Sequence, residues 1–257
     1  MWKELKNLLS FLTILPFKMD MDFLVNSAKL MWLFPLVGAL LGVLAGIFGW
    51  AASLFLPALV VGALALAVLL LLTGLHHTDG LLDFGDAVMY TGTAERKIEI
   101  MHDQLTGAGA VGLGLMTYII TALAFGELGM KVVIGGVAVP VIVPALVVVE
   151  LCAKLSMVVA TWAGRPVHKG MNSPFMEVMH GKNGSLRLAA ALALSLVFAL
   201  PLLWLSGFVT VLVAVLAGLV MVAVAHRHFG GVTGDVLGAT NEIVRMVCVV
   251  VLLAMLR

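Results

Sequence analysis

Long apolar runs dominate this sequence and leave few soluble folds open to it. Several of them exceed the roughly 18 to 20 residues that a bilayer-spanning helix needs. The chain of 257 residues is 62% hydrophobic and only 11% charged, whereas a soluble domain carries about 25% charged residues. We therefore predict an all-α fold, a polytopic integral membrane helical bundle that forms a single membrane-embedded domain over residues 1–257. About seven transmembrane helices are expected, within a range of six to eight, from the apolar runs at 31–53, 57–75, 107–126, 132–163, 187–206, 208–226 and 241–256.

The N-terminal segment MWKELKNLLSFLTILPFK has an amphipathic helical pattern. Its apolar residues recur at helical spacing between Trp2 and Leu15, and its charged residues lie elsewhere on the helix. No small-residue cleavage site follows, which argues against a cleaved signal peptide. We predict an interfacial helix that lies on the lipid bilayer and ends near Pro16.

Positive charge predicts the orientation of the spans, because cytoplasmic loops carry an excess of Lys and Arg. With seven spans, this pattern puts the basic segments in the cytoplasm and the C-terminus outside. We expect the protein in a prokaryotic cell membrane, with its polar segments facing the cytoplasm. A net charge of +1 without a dense basic run argues against nucleic acid as a partner. The basic segments contain Lys3, Lys6, Lys18 and Lys29; Arg96 and Lys97; Arg165, Lys169, Lys182 and Arg187; and Arg227.

Residues 132–163 are too long for one straight span and too short for three. Pro140 and Pro144 are candidate break points, since proline removes a helix hydrogen bond. We therefore predict one crossing plus a broken or re-entrant half. Glu150 and Lys154, four residues apart, are expected to pair with each other inside the bundle.

The chemistry-bearing residues gather in three polar segments that the predicted topology puts on one side of the membrane. All seven histidines fall within residues 76–102, 168–180 or 226–228, which include His168. Nine of the fourteen acidic residues fall within 79–103, at 177 or within 235–242. A transporter more often scatters such residues along interrupted helices at mid-bilayer. The pattern therefore favours a chemical site at one mouth of the bundle.

The segment HHTDGLLDFGDAV places three aspartates at helical spacing. Asp79, Asp83 and Asp86 follow an i, i+4, i+7 pattern, so their carboxylates share one helix face. Carboxylates so close repel one another unless a cation offsets them. Oxygen ligands suit Mg²⁺ or Mn²⁺, and the alternative is a solvated acidic loop. His77 is expected to contact substrate or to be a polar residue at the helix end.

A second acidic pattern follows in AERKIEIMHDQLTGAG. Glu95, Glu99 and Asp103 repeat the helical spacing as i, i+4, i+8. This pattern predicts a second acidic face on an adjoining helix.

Two later segments supply candidate substrate ligands. Arg165 and Lys182 lie among glycines, which suits a clamp for phosphate or pyrophosphate, although positive-inside topology explains them equally well. Asp235 and Glu242 are seven residues apart on one face of the last span. Carboxylates so placed are costly in lipid, so a functional role is the first hypothesis. The structural alternative is an ion pair between Glu242 and Arg245.

Five motifs occur in order along the chain: FLTILPF, FPLVGALLG, HHTDGLLDFGDAV, ERKIEIMHDQLTGAGAVG and GGVTGDVLGATNE. Together they closely resemble the cobalamin synthase family, the adenosylcobinamide-GDP ribazoletransferases. The resemblance runs from about residue 10 to the C-terminus.

The resemblance implies the last assembly step of the nucleotide loop of vitamin B12. A hydroxyl of α-ribazole, or of its 5′-phosphate, attacks the cobinamide phosphate of adenosylcobinamide-GDP and releases GMP. The family requires a divalent metal, usually Mg²⁺.

The residues fit that chemistry in definite roles. We expect Asp79, Asp83 and Asp86 to ligate the metal, with Asp86 and Asp103 as the catalytic candidates. Asp103 would act as a base or as a second metal contact. The expected substrate-binding residues are His77, Arg165, Lys182, Asp235 and Glu242.

Two other functions stay open on the sequence. A CDP-alcohol phosphotransferase uses aspartates on adjoining membrane helices in a similar displacement, although the usual Ala-Arg after its Asp-Gly is absent here. A cation-coupled transporter would use carboxylates deep within the spans. A homo-oligomer and other enzymes of the corrinoid pathway are candidate partners.

Overall fold

The computed structural model describes residues 2–16, 22–128, 131–134, 137–167, 170 and 172–256. Lys18, His168 and Lys169, and the side chain of Trp2, lie outside this description. Within it the helices are α1 (Trp2–Leu12), α2 (Phe23–Lys29), α3 (Phe34–Ser53, preceded by the 3-10 turn Met31–Leu33), α4 (Ala58–Leu72), α5 (His76–Met89), α6 (Ala94–Met101), α7 (Ala108–Gly126), α8 (Ile142–Ala163), α9 (Ser173–His180), α10 (Gly184–Phe229) and α11 (Gly234–Leu256).

Five of the described helical segments are long and apolar enough to cross a bilayer: Met31–Ser53, Ala108–Gly126, Ile142–Ala163, Gly184–Phe229 and Gly234–Leu256. Helices α4 and α5 pass the same test together, as a pair bent by 99°. The prediction of a polytopic helical membrane bundle is therefore confirmed. Helix α1 also has the predicted amphipathic pattern, with Leu8 and Leu12 buried and Lys3 exposed.

Helix α10 turns back on itself near its middle. A straight helix of its 46 residues would measure about 69 Å, more than twice the roughly 30 Å of a hydrocarbon core. Trp204 leaves the helical conformation at φ 50° and ψ −127°. A Cβ added at Gly207 would lie 2.2 Å from the Ala199 carbonyl oxygen, so the two arms touch just beyond the bend. Counting these arms as two crossings and α4–α5 as one gives seven in the described chain, the predicted number.

The predicted re-entrant half within residues 132–163 is wrong. Strands β1 (Lys131–Ile134) and β2 (Val137–Pro140) form an antiparallel hairpin there, and α8 makes the single predicted crossing. Pro144 lies in the first turn of α8, where a missing backbone N–H costs no helix hydrogen bond. The chain breaks instead between α4 and α5, where Gly74 and Leu75 have φ of 62° and 61°.

Helix α8 is the centre of the bundle, and nearly all of its residues are buried. It packs against α3, α10 and α11. The α3 contact is very close, because a Cβ added at Gly42 would lie 2.4 Å from the Leu146 carbonyl oxygen. Small residues at such a crossing let two membrane helices approach closely.

Buried charges join α8 to α11. The Arg245 guanidinium donates to both carboxylate oxygens of Glu150, with Nη2 to Oε2 at 3.0 Å, and also to Glu242. Lys154 Nζ donates to Asn241 Oδ1 at 2.6 Å. The predicted Glu150–Lys154 pair is therefore wrong, because Arg245 offers Glu150 a two-pronged partner from the neighbouring helix. We call these five residues the buried charge cluster.

The cluster gives a direct stability prediction. Arg245→Met would leave Glu150 and Glu242 buried without their cation, which we expect to cost about 3–5 kcal/mol of unfolding free energy. The matched control is Arg96→Met, whose partner Glu99 and own side chain are about 60% exposed. That exposed pair is expected to contribute little to stability. Thermal unfolding in detergent compares the two, and equal melting temperatures would contradict the prediction.

Candidate active site

The three aspartates of α5 share one helix face, as predicted. The helix runs from His76 to Met89, so Asp79, Asp83 and Asp86 follow one another along a single stripe. Asp79 is exposed, whereas Asp83 and Asp86 are half-buried. The predicted helical register is therefore confirmed.

Asp86 caps a neighbouring helix. Its Oδ2 accepts from the Gly107 amide at 2.6 Å and its Oδ1 accepts from the Ala110 amide at 2.8 Å. A carboxylate at a helix N-terminus satisfies orphan amides and interacts favourably with the helix dipole. Both oxygens of Asp86 are thus engaged by the start of α7, which ties α5 to that helix.

Glycines bring α5 against the start of α11. A Cβ added at Gly80 would lie 2.8 Å from the Asp235 carbonyl oxygen, and one at Gly238 would lie 3.3 Å from the His77 Cα. This contact places Asp235 close to the aspartates of α5, and Asp83 lies within the electrostatic reach of both Asp79 and Asp235. We call Asp79, Asp83 and Asp235 the carboxylate cluster.

Thr233 fixes the first turn of α11. Its hydroxyl oxygen accepts from the Val236 amide at 3.2 Å, as an N-cap residue does. The same oxygen lies 3.4 Å from Asp235 Oδ2 and 3.3 Å from the Met101 sulfur. The end of α6 is therefore held beside the carboxylate cluster.

Arg165 lies in a loop that is held against the α10–α11 connection. Its carbonyl accepts from the Val232 amide at 2.7 Å, and its amide donates to His226 Nε2 at 3.0 Å. A Cβ added at Gly231 would lie 2.4 Å from the Arg165 carbonyl oxygen, so only glycine fits there. Gly230 ends α10 in the left-handed region at φ 76°. The exposed Arg165 thus lies at the same end of the bundle as Asp235.

Lys97 and His228 meet beside this loop, a pairing that the sequence interpretation missed. Lys97 Nζ lies 2.7 Å from His228 Nδ1, and only 7% of Lys97 is exposed. From the sequence, Lys97 indicated only the cytoplasmic side of the membrane. Helical spacing could have indicated its burial, because Lys97 lies four residues before the apolar Met101 and therefore shares its helix face.

The predicted second acidic face is wrong for Asp103. Helix α6 ends at Met101, so Asp103 follows in an exposed connection, where its Oδ1 accepts from the Leu105 amide at 3.3 Å. Glu99 pairs with Arg96 at 2.5 Å. Hydrogen bonds from its own backbone amide and from the Thr93 hydroxyl lower the pKa of Glu95. These two glutamates therefore belong to the local structure of α6.

Two predicted substrate ligands, His77 and Glu242, are buried away from the exposed face of Asp79. His77 lies about 200° round α5 from Asp79; it is buried, and its Nδ1 has no hydrogen-bond partner. Glu242 belongs to the buried charge cluster, which matches the structural alternative of an ion pair with Arg245. Lys182 is exposed in the turn between α9 and α10. Neither His77 nor Glu242 shares the exposed face that Asp79 presents.

Comparisons with known proteins identify the family. The family model described as cobalamin-5-phosphate synthase matches residues 4–253. The chain belongs to this family. The resemblance inferred from the five motifs is thereby confirmed.

Relatives of this cobalamin-5-phosphate synthase family member cover almost its full length. A protein of Thermococcus kodakarensis is 34% identical over 255 residues, which span 96% of this chain and 97% of that protein. Proteins of Methanosarcina mazei and Methanococcoides burtonii are 32% and 29% identical, each over 96% of this chain and 90% of their own length. All three are named adenosylcobinamide-GDP ribazoletransferase. No solved structure matches the chain.

The oxygen donors of the carboxylate cluster fit a hard divalent cation. Among the described residues, no three His, Cys, Asp or Glu side chains are already grouped to hold a metal. Mg²⁺ does not need such a cage, because it keeps several waters and binds one or two carboxylates together with substrate phosphates. The carboxylate cluster offers only oxygen donors, and its mutual repulsion would be relieved by a cation.

The α5–α11 contact predicts a steric effect at Gly80. Gly80→Ala would force backbone apart at the Asp235 carbonyl, with an expected loss of about 1–3 kcal/mol of stability. Gly112→Ala on α7 is the control, because its added Cβ meets nothing within 4 Å. Melting temperatures in detergent should fall for the first variant only. A Gly80→Ala protein as stable as Gly112→Ala would disprove the close contact.

Proposed function

We propose that this protein transfers the adenosylcobinamide phosphate of adenosylcobinamide-GDP to α-ribazole or α-ribazole 5′-phosphate. GMP leaves, and adenosylcobalamin or its 5′-phosphate is formed, which is the last assembly step of the cobalamin nucleotide loop. Family membership over residues 4–253 supports this proposal. So do the names of the relatives that match the chain over nearly their whole length.

The observation that carries the proposal is the carboxylate cluster beside basic side chains. Asp79 and Asp83 of α5 and Asp235 of α11 lie at the mouth where Arg165 is also held. Acidic and basic groups side by side suit a pyrophosphate with its counter-cation.

A Mg²⁺ or Mn²⁺ ion would be held by Asp79, Asp83 and Asp235 in this proposal. When bound, such an ion neutralises charge on the transferring phosphate and the leaving phosphate. Asp86 was a candidate ligand and catalytic residue. Both Asp86 oxygens accept hydrogen bonds from backbone amides at the start of α7. We therefore propose that Asp86 positions the aspartate face of α5.

The remaining roles concern the two substrates. An oxygen of the ribazole hydroxyl attacks the cobinamide-linked phosphorus, and the bond from that phosphorus to the GMP oxygen breaks. The hydroxyl proton needs an acceptor, for which Asp103 on the exposed α6–α7 connection is the candidate. Arg165 would bind a phosphate, and Lys182 would contact a more distant part of the substrate. His77 and Glu242 would not contact substrate; they would stabilise the packing of α5 on α11 that positions the site.

The proposed setting is a prokaryotic cell membrane with the site facing the cytoplasm. Basic residues at the site end of the bundle, such as Arg165 and Arg227, support this orientation. A homo-oligomer and other enzymes of the corrinoid pathway are proposed as partners, since the corrinoid substrate has to reach the membrane.

The charges deep in the bundle do not favour a transporter. Glu150 and Glu242 both contact Arg245, and Lys154 binds Asn241, so the buried cluster has two negative and two positive charges that offset one another. A coupling site for a cation would need carboxylates free to exchange partners.

GMP release tests the proposal. Protein in nanodiscs receives adenosylcobinamide-GDP, α-ribazole and Mg²⁺. We expect Asp79→Asn and Asp83→Asn each to lower GMP release by about 100-fold or more, because a bound metal ion contributes several kcal/mol. A chelator should abolish the wild-type reaction. Glu99→Gln is the control, since Glu99 pairs with Arg96 on the surface of α6.

Two results would count against the proposal in different ways. Full activity in both aspartate variants would separate the carboxylate cluster from the reaction. No GMP from folded wild-type protein would refute the transfer itself and turn attention to CDP-linked substrates.

A further inference from the structure

Lys97 is a buried cation whose described surroundings contain no counter-ion. It is 7% exposed, and its ammonium contacts the His228 imidazole at 2.7 Å. Among the ion pairs of the described chain, none includes Lys97; its neighbour Arg96 takes Glu99. Burying an ammonium is costly unless an anion compensates it. The position therefore lacks a negative group.

The partner of Lys97 adds a second set of donors. An ammonium only donates hydrogen bonds, so His228 Nδ1 accepts and the imidazole proton lies on Nε2. The pair therefore presents the remaining ammonium hydrogens and the Nε2 hydrogen, and it presents no acceptor. Arg227 adds a positive charge that acts on His228. Such a set of donors suits phosphate oxygens.

The pair lies at the same end of the bundle as the carboxylate cluster, because α6 carries Lys97 and ends against Thr233. Lys97 and Met101 are four residues apart on α6, so their Cβ atoms are about 6 Å apart. The Met101 sulfur is 3.3 Å from the Thr233 hydroxyl, which is 3.4 Å from Asp235 Oδ2. Lys97 and the carboxylate cluster are therefore both held at the mouth where the proposed substrate would bind.

We infer that Lys97 and His228 form an anion subsite that receives the phosphate of the GMP leaving group. This inference rests on the proposed function. As the bond between the cobinamide-linked phosphorus and the bridging oxygen breaks, its electron pair stays on that oxygen. The GMP phosphate then gains one negative charge, while the proton of the attacking hydroxyl goes to the base. The Lys97 ammonium stabilises the charge that GMP acquires.

The Lys97–His228 contact could instead serve only to link α6 to α10. A ligand subsite and a structural link predict opposite changes in the stability of a variant that lacks the charge. Lys97→Met keeps the length and packing of the side chain and removes the charge. If the pair serves a ligand, the variant is at least as stable as wild type, because an uncompensated buried charge is gone. If the pair is only a structural link, the variant is less stable and binds GMP normally.

The experiment measures GMP binding to the full chain in nanodiscs by calorimetry, with guanosine as the phosphate-free comparison. We expect Lys97→Met to weaken GMP binding by about 10- to 100-fold, the effect of losing charge-assisted hydrogen bonds. Its guanosine binding should be unchanged. Lys97→Arg should bind GMP within a few-fold of wild type. His228→Phe should also weaken GMP binding, and Arg96→Met, next in the chain and exposed, should not.

Different results would overturn the proposed subsite and the proposed function. Wild-type GMP affinity in both Lys97→Met and His228→Phe would overturn the subsite, whatever the transfer assay shows. Transfer by wild type, with unchanged GMP binding in both variants, would overturn the subsite and leave the proposed function standing. Lys97-dependent GMP binding by a wild type that transfers nothing would support the subsite and refute the proposed function.

Discussion

The ion pairs that Arg245 makes with Glu150 and Glu242 are the interaction on which the rest of the structure depends. All three side chains are buried between α8 and α11. Losing any one of them leaves a charge without compensation, so sliding one helix along the other is costly. Because α8 also packs against α3 and α10, this register is fixed relative to the whole bundle.

The same register sets the candidate site. Asp235 precedes Glu242 by two helical turns, about 10 Å along α11. At that level α5 crosses at Gly80, and its aspartates come beside Asp235. Charged groups inside the bundle therefore differ from those at its mouth. The inner ones neutralise one another, whereas the outer carboxylates repel, and Lys97 contacts the His228 imidazole. This difference distinguishes a structural cluster from a surface suited to metal and phosphate.

Features with a periodic or compositional signal could be predicted from the sequence. Helical spacing predicted the shared face of Asp79 and Asp83, and apolar length predicted the spans. Through-space contacts could not be predicted. The capping of α7 by Asp86 joins positions more than twenty residues apart, and the partner of Glu150 is on another helix. The break at Gly74 and Leu75 depends on local backbone conformation. Pro140 and Pro144 led to a predicted break in residues 132–163 instead.

The most direct test of a divalent-metal site between α5 and α11 is Mn²⁺ binding to the purified chain in nanodiscs, monitored by electron paramagnetic resonance. We expect one bound Mn²⁺ per chain that is displaced by Mg²⁺. The double variant Asp79→Asn, Asp83→Asn should lose it, and Glu99→Gln, on the exposed face of α6, should keep it. Unchanged Mn²⁺ binding in the double variant would contradict the claim that α5 and α11 build a divalent-metal site.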